Sequence, residues 1–232
     1  MKLNILGRDK SEVEILKRKL KKFKEGLEID EKDPEIIITF GGDGSFLVAE
    51  RKFPGIPKLI LKHNSVCKKC VEGDLEEVLE KLAKGEYRIE KCKKVEAIII
   101  KQEGPVIKKI ASNDIIVSNR LPYRALRFKV EIDDKLDNEF IGDGIVVATG
   151  FGSTGYFQSI TQKEFSENLG VAFNNVTEKQ GEIFLEKEVV KLEVLRNDAY
   201  VSADNDPVMV ILKEGDKIEI KQSEREFSLV KV

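Results

Sequence analysis

The sequence predicts an α/β protein in two domains. An N-terminal Rossmann-like α/β domain spans residues 1–92, and a mostly antiparallel β-sandwich domain spans residues 93–232. Three observations carry that prediction. Short β-branched runs alternate with helix-periodic segments for about the first ninety residues, the rhythm of βαβ units on a mainly parallel sheet. Beyond that point strand follows strand with only turns between them. Two Gly- and Asp-rich stretches, Gly41–Gly44 and Gly142–Tyr156, sit beside buried-strand patterns and carry more small residues than a turn requires.

In chain order, Lys2 to Leu6 reads as a brief strand. An amphipathic helix follows from about Ser11 to Gly26, because Val13, Leu16, Leu20, Phe23 and Leu27 recur at helical spacing. The lysines and Arg18 between them read as its solvated face. Ile36 to Phe40 is a buried strand, and Ser45-Phe46-Leu47-Val48-Ala49 opens a helix that ends before Pro54. Leu59-Ile60-Leu61 is another short strand. Asp74-Leu75-Glu76-Glu77 starts a helix as a capping-box variant, and Gly85 stops it. The second domain offers strands over 95–101, 107–118, 126–132, 140–149, 189–195, 200–203, 208–212, 217–221 and 227–232. Arg127 to Ile132 and Lys217 to Ile220 alternate for one buried face.

Composition narrows the function classes. A hydrophobic content of 41% with 35% charged residues describes a folded domain rather than a disordered chain. A formal net charge of −2 gives no global field for nucleic acid or a membrane surface, so neither is expected as a partner. No apolar run is long enough to span a bilayer and Met1–Ile5 is no signal peptide, which leads us to expect a cytoplasmic protein. Abundant Lys and Glu with no Trp resembles heat-adapted composition. Three cysteines, Cys67, Cys70 and Cys92, are an odd number without secreted context, so reduced thiols are expected. Cys67-Lys68-Lys69-Cys70 has metal or redox spacing, with His63 upstream. A zinc site would need Cys92 brought close by the fold, and an ordinary polar loop role is the expectation for His63.

The chemistry concentrates in three places. In Gly41-Gly42-Asp43-Gly44 the glycines let backbone amides approach an anion, and the helix that follows adds partial positive charge. A carboxylate there repels phosphate unless Asp43 handles a hydroxyl proton or a Mg²⁺ beside it. The plainer alternative is a strand-to-helix turn with Asp43 as N-cap. Ser112-Asn113-Asp114 places a donor–acceptor amide and a carboxylate just before a buried strand, suited to a nucleobase edge or a ribose, although Asn-Asp is also ordinary turn chemistry. Gly142-Asp143-Gly144, a buried strand and then Thr149 to Tyr156 offer hydroxyls, backbone amides and one aromatic ring for a sugar and a flat base.

Taken together and in order, these motifs resemble the NAD kinase family, with its GGDG, its Asn-Glu or Asn-Asp pair and its later Asp-Gly…Gly-Ser-Thr-Ala-Tyr…Ser segment. Ser202-Ala203-Asp204 resembles a later Asp-containing hairpin of that family. The likeness covers about residues 36–48 and 96–230. It implies transfer of the γ-phosphoryl group of ATP, or of polyphosphate, to the adenosine-ribose 2′-OH of NAD, with a divalent metal, usually Mg²⁺. It implies that Asp43 takes the hydroxyl proton while Gly41, Gly42 and Gly44 admit phosphates. Asn113, Asp114, Thr154, Gly155, Tyr156 and Ser159 would hold NAD, and Arg124 stands where the family has a basic or polar binding residue. Asp143 matches an acid that serves a neighbouring subunit's site, which implies a homodimer or homotetramer.

The departures mark a short, divergent member. Thr149-Gly150-Phe151 stands where Thr-Pro-Thr is expected, Ile160-Thr161 replaces Ala-Gly-Gly, and Lys62-His63-Asn64-Ser65 replaces a Gly-rich segment ending in Gly-Phe-Leu. Two other classes remain alongside. One is another GGDG-type kinase acting on a sugar or lipid, which leaves the Gly152–Tyr156 segment unexplained. The other is a non-catalytic dinucleotide-binding sensor.

Overall fold

The computed structural model describes residues 1–22, 26–62, 67–71 and 74–232. The chain divides into two compact units, Met1–Cys92 with Glu226–Val232, and Lys93–Arg225. It passes from one to the other between Cys92 and Lys93 and back between Arg225 and Glu226, and each unit is described by itself below.

The first unit alternates strand and helix: β1 (Lys2–Gly7), α1 (Lys10–Lys22), β2 (Glu28–Ile29), β3 (Ile36–Gly41), α2 (Asp43–Lys52), β4 (Lys58–Lys62) and α3 (Leu75–Ala83). Its strands run parallel in the order β2-β1-β3-β4, with Leu229 of the last strand beside Lys58 of β4. Leu16 and Leu20 of α1 and Val78, Leu79 and Leu82 of α3 bury against Leu3, Ile5, Ile38, Leu59 and Leu61. That is the helical periodicity read from the sequence, now facing a sheet. The helix expected to reach Gly26 is described to Lys22. Phe23 lies outside the described residues, as do His63, Asn64 and Ser65. Asp74 caps α3 by accepting from Glu76 N at 3.1 Å. Phe46 of α2 packs on Phe227, ring centroids 5.2 Å apart, so the C-terminal segment completes this unit's core. The sequence reading had run the second domain through to Val232. Residues 226–232 pack instead with the first unit.

The second unit is a sandwich of antiparallel strands. Its strands are β5 (Arg88–Ile100), β6 (Ile107–Ala111), β7 (Asp114–Asn119), β8 (Leu126–Ile132), β9 (Leu136–Gly142), β10 (Gly144–Thr149), β11 (Leu169–Asn174), β12 (Ile183–Leu185), β13 (Val190–Arg196), β14 (Ala199–Ala203), β15 (Val210–Leu212) and β16 (Lys217–Lys231). A 3₁₀ turn over Gly152–Thr154 and a short helix, α4 (Tyr156–Thr161), follow β10. One layer runs β16-β13-β8-β9, and the other runs β12-β11-β10-β7-β14-β15. The core between them includes Phe128, Val130, Phe140, Ile145, Val147, Val171, Leu192 and Ile218.

Several strand boundaries differ from expectation, each for a local reason. The runs 107–118 and 140–149 are each broken in two, at Ser112-Asn113 and at Asp143. At Gly144, φ is +131° and a β-carbon would stand 1.9 Å from the Val117 carbonyl, so only glycine lets β10 start there. The two segments expected at 217–221 and 227–232 form one strand. The polar residues between them remain extended, and the buried Ser223 donates to Glu96 at 2.7 Å. Strand β11 is not among the strands expected from the sequence, and its second residue is Gly170. Here it makes room for the Phe165 ring, 2.6 Å from where its β-carbon would be.

Candidate functional site

In the first unit the Gly-rich loop joins β3 to α2. Gly41 has φ +144°, and a β-carbon on it would come within 2.5 Å of Ser45 Oγ, so this step is reserved for glycine. Asp43 is the first helical residue, not the cap. Gly42 takes the N-cap position and supplies no side-chain bond. The plainer reading of Asp43 as an N-cap is therefore excluded, and its carboxylate is left for other partners. Burial raises its pKa, while Lys69 and Lys68 lower it in part, through charge and through a bond from the Lys69 backbone N–H. A half-buried carboxylate of raised basicity at a helix N-terminus can accept a proton from a hydroxyl brought to it.

The same loop is met by residues 67–71. Cys67 and Cys70 are joined by a disulfide, with Cα atoms 5.7 Å apart, which corrects the expectation of reduced thiols and removes the pair as zinc ligands. An odd cysteine count argues against a disulfide framework, but it says nothing about one local pair three residues apart. Cys67 Sγ lies 3.4 Å from Asp43 Oδ1, and Cys70 Sγ lies 3.8 Å from the Gly41 carbonyl. Val71 bridges in parallel to Leu61 and donates to the Ile60 carbonyl at 2.9 Å, which fixes the turn beside β4. Cys92 is a free thiol whose pKa burial pushes up to about 11.

In the second unit the predicted residues fall at two ends of the same strands. At one end lies the Ser112-Asn113-Asp114 turn. Its backbone amides all donate to one carboxylate, Asp204, at 2.8, 2.7 and 3.3 Å. Asp204 adopts φ +52° directly after β14 and donates its own N–H to the Asp114 carbonyl at 3.0 Å. Thr149 completes the corner by donating its hydroxyl to the Ser112 carbonyl at 2.7 Å and accepting from Gly152 N at 3.0 Å. Gly152 passes so close to Asn113 that a β-carbon would stand 2.2 Å from its carbonyl. A β-carbon on Gly155 would lie 4.0 Å from Asp114 Oδ2.

These contacts saturate the backbone and spare the side chains. Asn113 Oδ1 is buried and, among the described residues, has no hydrogen-bond partner. Asp114 is buried beside Asp204. Burial first, and the neighbouring charge second, push its pKa up to about 7. Asp204 is also raised by burial, opposed by its three amide bonds and by Lys94. Thr154, Gly155 and Tyr156 follow on the outer side, where Phe157 anchors α4 against Val146, Ala148 and Ala172. The Ser159 hydroxyl turns back to the Tyr156 carbonyl at 2.7 Å.

At the other end of β7 and β10 lie Asp143 and Arg124. Asp143 accepts from Asn119 Nδ2 at 3.2 Å and Asn175 Nδ2 at 3.1 Å. Arg124 is exposed, its guanidinium 5.8 Å from the Tyr123 ring centroid, and its carbonyl accepts from the same Asn119 amide. Asp114 pairs near Ala148 and Ser118 pairs with Gly144, so the two ends are roughly 13 Å apart along the strand. Tyr156 spans part of that length, its hydroxyl accepting from Asn174 Nδ2 at 2.9 Å. Motif reading gave Asp204 a resemblance to an Asp-containing hairpin but no role, and the structure makes it the acceptor that holds the Ser112–Asp114 turn.

The architecture defines a class. A parallel α/β unit with a Gly-rich strand-to-helix loop, joined to an antiparallel sandwich, is also the fold of yeast NADH kinase solved with NADH (TM-score 0.82, 16% identity, 100% of this chain and 83% of that one). An NAD kinase from Archaeoglobus fulgidus solved with ATP is similar as well (TM-score 0.78, 20% identity, 99% and 93% covered). Residues 112–232, just over half of the chain, match the family model described as the ATP-NAD kinase C-terminal domain, and the chain belongs to the NAD kinase family. Relatives include an NAD kinase of Caldanaerobacter subterraneus subsp. tengcongensis, 37% identical over 53% of this chain and 44% of its own length. A bifunctional NADP phosphatase/NAD kinase of Methanocaldococcus jannaschii is 35% identical over 52% of this chain and 22% of its own length. An NAD kinase of Natranaerobius thermophilus is 27% identical over 85% of this chain and 73% of its own. The aligned stretch thus spans less than half of the first two relatives.

Proposed function

We propose that this chain is an NAD kinase, a phosphotransferase that moves the γ-phosphoryl group of ATP, or of polyphosphate, to the adenosine-ribose 2′-OH of NAD and forms NADP. The observation that carries the reading is the corner around Asn113. A buried amide oxygen with no partner among the described residues lies beside a buried carboxyl, in a turn whose backbone is satisfied by Asp204, next to closely approaching glycines. A bare turn has no use for an orphaned acceptor. A nucleoside, with amino and hydroxyl donors, does.

In this proposal Asn113 and Asp114 hold the dinucleotide through their side chains. Thr154 and Gly155 offer a hydroxyl and open backbone, Tyr156 a ring face, and Ser159 and Arg124 further polar contacts. Asp43 takes the proton of the attacking hydroxyl, its basicity raised by burial. Gly41, Gly42 and Gly44 let phosphate oxygens reach backbone amides at the N-terminus of α2. Phosphoryl transfer asks mostly for positioning and charge neutralisation, which these residues supply.

Among the described residues no group of three or more His, Cys, Asp or Glu is arranged to hold a metal ion. Mg²⁺ would be carried mainly on the substrate phosphates, with Asp43 as the protein carboxylate placed to reach it. When bound, Mg²⁺ neutralises charge on the phosphates. Asp143 lies at the far end of the strands from Asn113, which supports its assignment to a neighbouring subunit's site in a homodimer or homotetramer. Among the described residues no helix is long and apolar enough to cross a membrane, in keeping with a proposed cytoplasmic site of action.

The test is NADP formation from NAD with Mg²⁺ and either ATP or polyphosphate, run beside sugars and diacylglycerol as acceptors. NADP as the dominant product supports the proposal. A preferred sugar or lipid acceptor overturns it, and NAD binding without NADP formation under either donor assigns a sensor instead.

A further inference from the structure

We propose that Cys67 and Cys70 form a reversible dithiol–disulfide site whose closed form holds the Asp43 carboxylate and slows the transfer, and whose substrate is a small or protein-borne dithiol. The inference rests on the role proposed above for Asp43. Three contacts support it, all within the first unit. The disulfide-closed turn gives that carboxylate one hydrogen bond, from the Lys69 N–H, and packs two sulfurs that carry no hydrogen against the loop, Cys67 Sγ 3.4 Å from Asp43 Oδ1 and Cys70 Sγ 3.8 Å from the Gly41 carbonyl. A carboxylate already accepting a hydrogen bond is a weaker base and a less accessible one.

The site is also chemically reachable. Cys67 and Cys70 are both half-buried rather than enclosed. Cys70 lines an open groove of about 550 Å³ with Tyr87, Arg88 and Lys231. Lys68, Lys69, Arg88 and Lys231 outnumber Glu86 of the same groove, a net positive surrounding that favours a thiolate leaving group and speeds exchange. Cys92 does not compete, because burial keeps its thiol protonated. In a reducing compartment a disulfide between residues three apart is more often a redox element than a permanent staple.

The step balances without an unnamed reagent. A thiolate of the dithiol attacks one of the two sulfurs, the Cys67–Cys70 bond breaks, and a mixed disulfide forms. The second thiol of the reductant then displaces the remaining cysteine. The reductant leaves as its own disulfide, and its two electrons and two protons reside on Cys67 and Cys70. Once the cross-link is gone, the turn is no longer held across the carboxylate.

The experiment compares the full chain after diamide treatment and after reduction with dithiothreitol. Thiol titration in denaturant should find one free thiol, Cys92, in the oxidised protein and three in the reduced one. Reduction should raise kcat for NADP formation by about fivefold, the scale of one net hydrogen bond, with KM for NAD little changed. The C67S/C70S double variant should match the reduced protein and ignore dithiothreitol, while C92S should still respond. Hydrogen exchange of segments 41–47 and 67–71 should quicken on reduction, a readout independent of turnover. A thiol count of three after oxidation overturns the proposal. So does a full reduction that lowers the melting temperature while leaving both kcat and the exchange of these segments unchanged, since that describes a structural staple. If no NADP forms in either state, the functional reading fails by itself, and the exchange rates still decide whether the turn holds the Asp43 loop.

Discussion

Both units place a carboxylate beside glycines, but they treat it in opposite ways. Around Asp43 the backbone is strained at Gly41, the helix is capped by a glycine that offers no side chain, and the carboxylate is left to partners from another turn. Around Asp114 the backbone is locked by Asp204 and Thr149, and the side chains of Asn113 and Asp114 are left in a buried corner. In the proposed reaction the first arrangement serves proton transfer. The second, held by the added Asp204 carboxylate, would give a fixed surface for recognition. A loop that does chemistry needs an uncommitted side chain, whereas one that holds a ligand needs a committed backbone.

If that contrast is right, the largest effect belongs to Asp43. Asp43→Asn should lower turnover by about 10²–10⁴, the range for losing a general base, while NAD still binds. Steady-state kcat together with a direct NAD titration measures both. Unchanged turnover would remove Asp43 from the chemistry, and lost binding would make it a ligand contact instead.

Asp204 should show the reverse pattern. Asp204→Ala strips the acceptor from three backbone amides, and we expect a loss of about 2–4 kcal/mol in unfolding free energy with NAD affinity weakened about tenfold. Asp204→Asn should fall between, because an amide oxygen can still serve Asn113 and Asp114 while its NH₂ group faces the Ser112 amide. Urea unfolding of both variants at one pH tests the order. An Asp204→Ala protein as stable as the wild type would mean that relief of its repulsion with Asp114 offsets the lost bonds.

The buried pair also gives stability a pH dependence. Asp114 titrates near 7 in the folded protein and at about 3.9 unfolded. Between those values the folded chain keeps a proton that the unfolded chain has released. The contribution is therefore fully present below about pH 4, declines as pH rises, and is gone above about pH 7. At about 1.4 kcal/mol per unit the upper bound is about 4 kcal/mol. Asp114→Asn should remove most of that slope, and Asp204, also raised by burial, should supply the remainder. Denaturant midpoints from about pH 4.5 to 8 measure it. A flat wild-type curve would mean that Asp114 ionises in place without penalty.

Much of this was legible in the residues, and the rest was not for physical reasons. The β-branched runs and helical periodicity disclosed the first unit because β3 and β4 are buried on both faces, which leaves unbroken apolar runs, and its helices bury one face each. Phe227 could not disclose that it packs on Phe46, since a strand's partner is not written in its own alternation. The Gly-Asp motifs pointed to the loops. They did not reveal that Asp204 would bond three amides some ninety residues upstream, because a hydrogen bond between distant segments leaves no periodic trace. The cysteine count misled because it bears on a network and not on one local pair.

The smallest effect separates the two functions of Tyr156. Its hydroxyl accepts from Asn174 Nδ2, while 38% of the residue stays exposed and its ring is available to a ligand. Removing only the hydroxyl should leave recognition nearly intact, since a flat base packs on the ring face and not on the phenol oxygen. Tyr156→Phe should thus shift stability by less than about 1 kcal/mol and KM for NAD by less than about threefold. Tyr156→Ala should raise KM for NAD by about tenfold, the scale of one lost stacking surface. Equal losses in the two variants would place the contribution in the bond to Asn174, making Tyr156 part of the locked scaffold and not of the surface that meets the ligand.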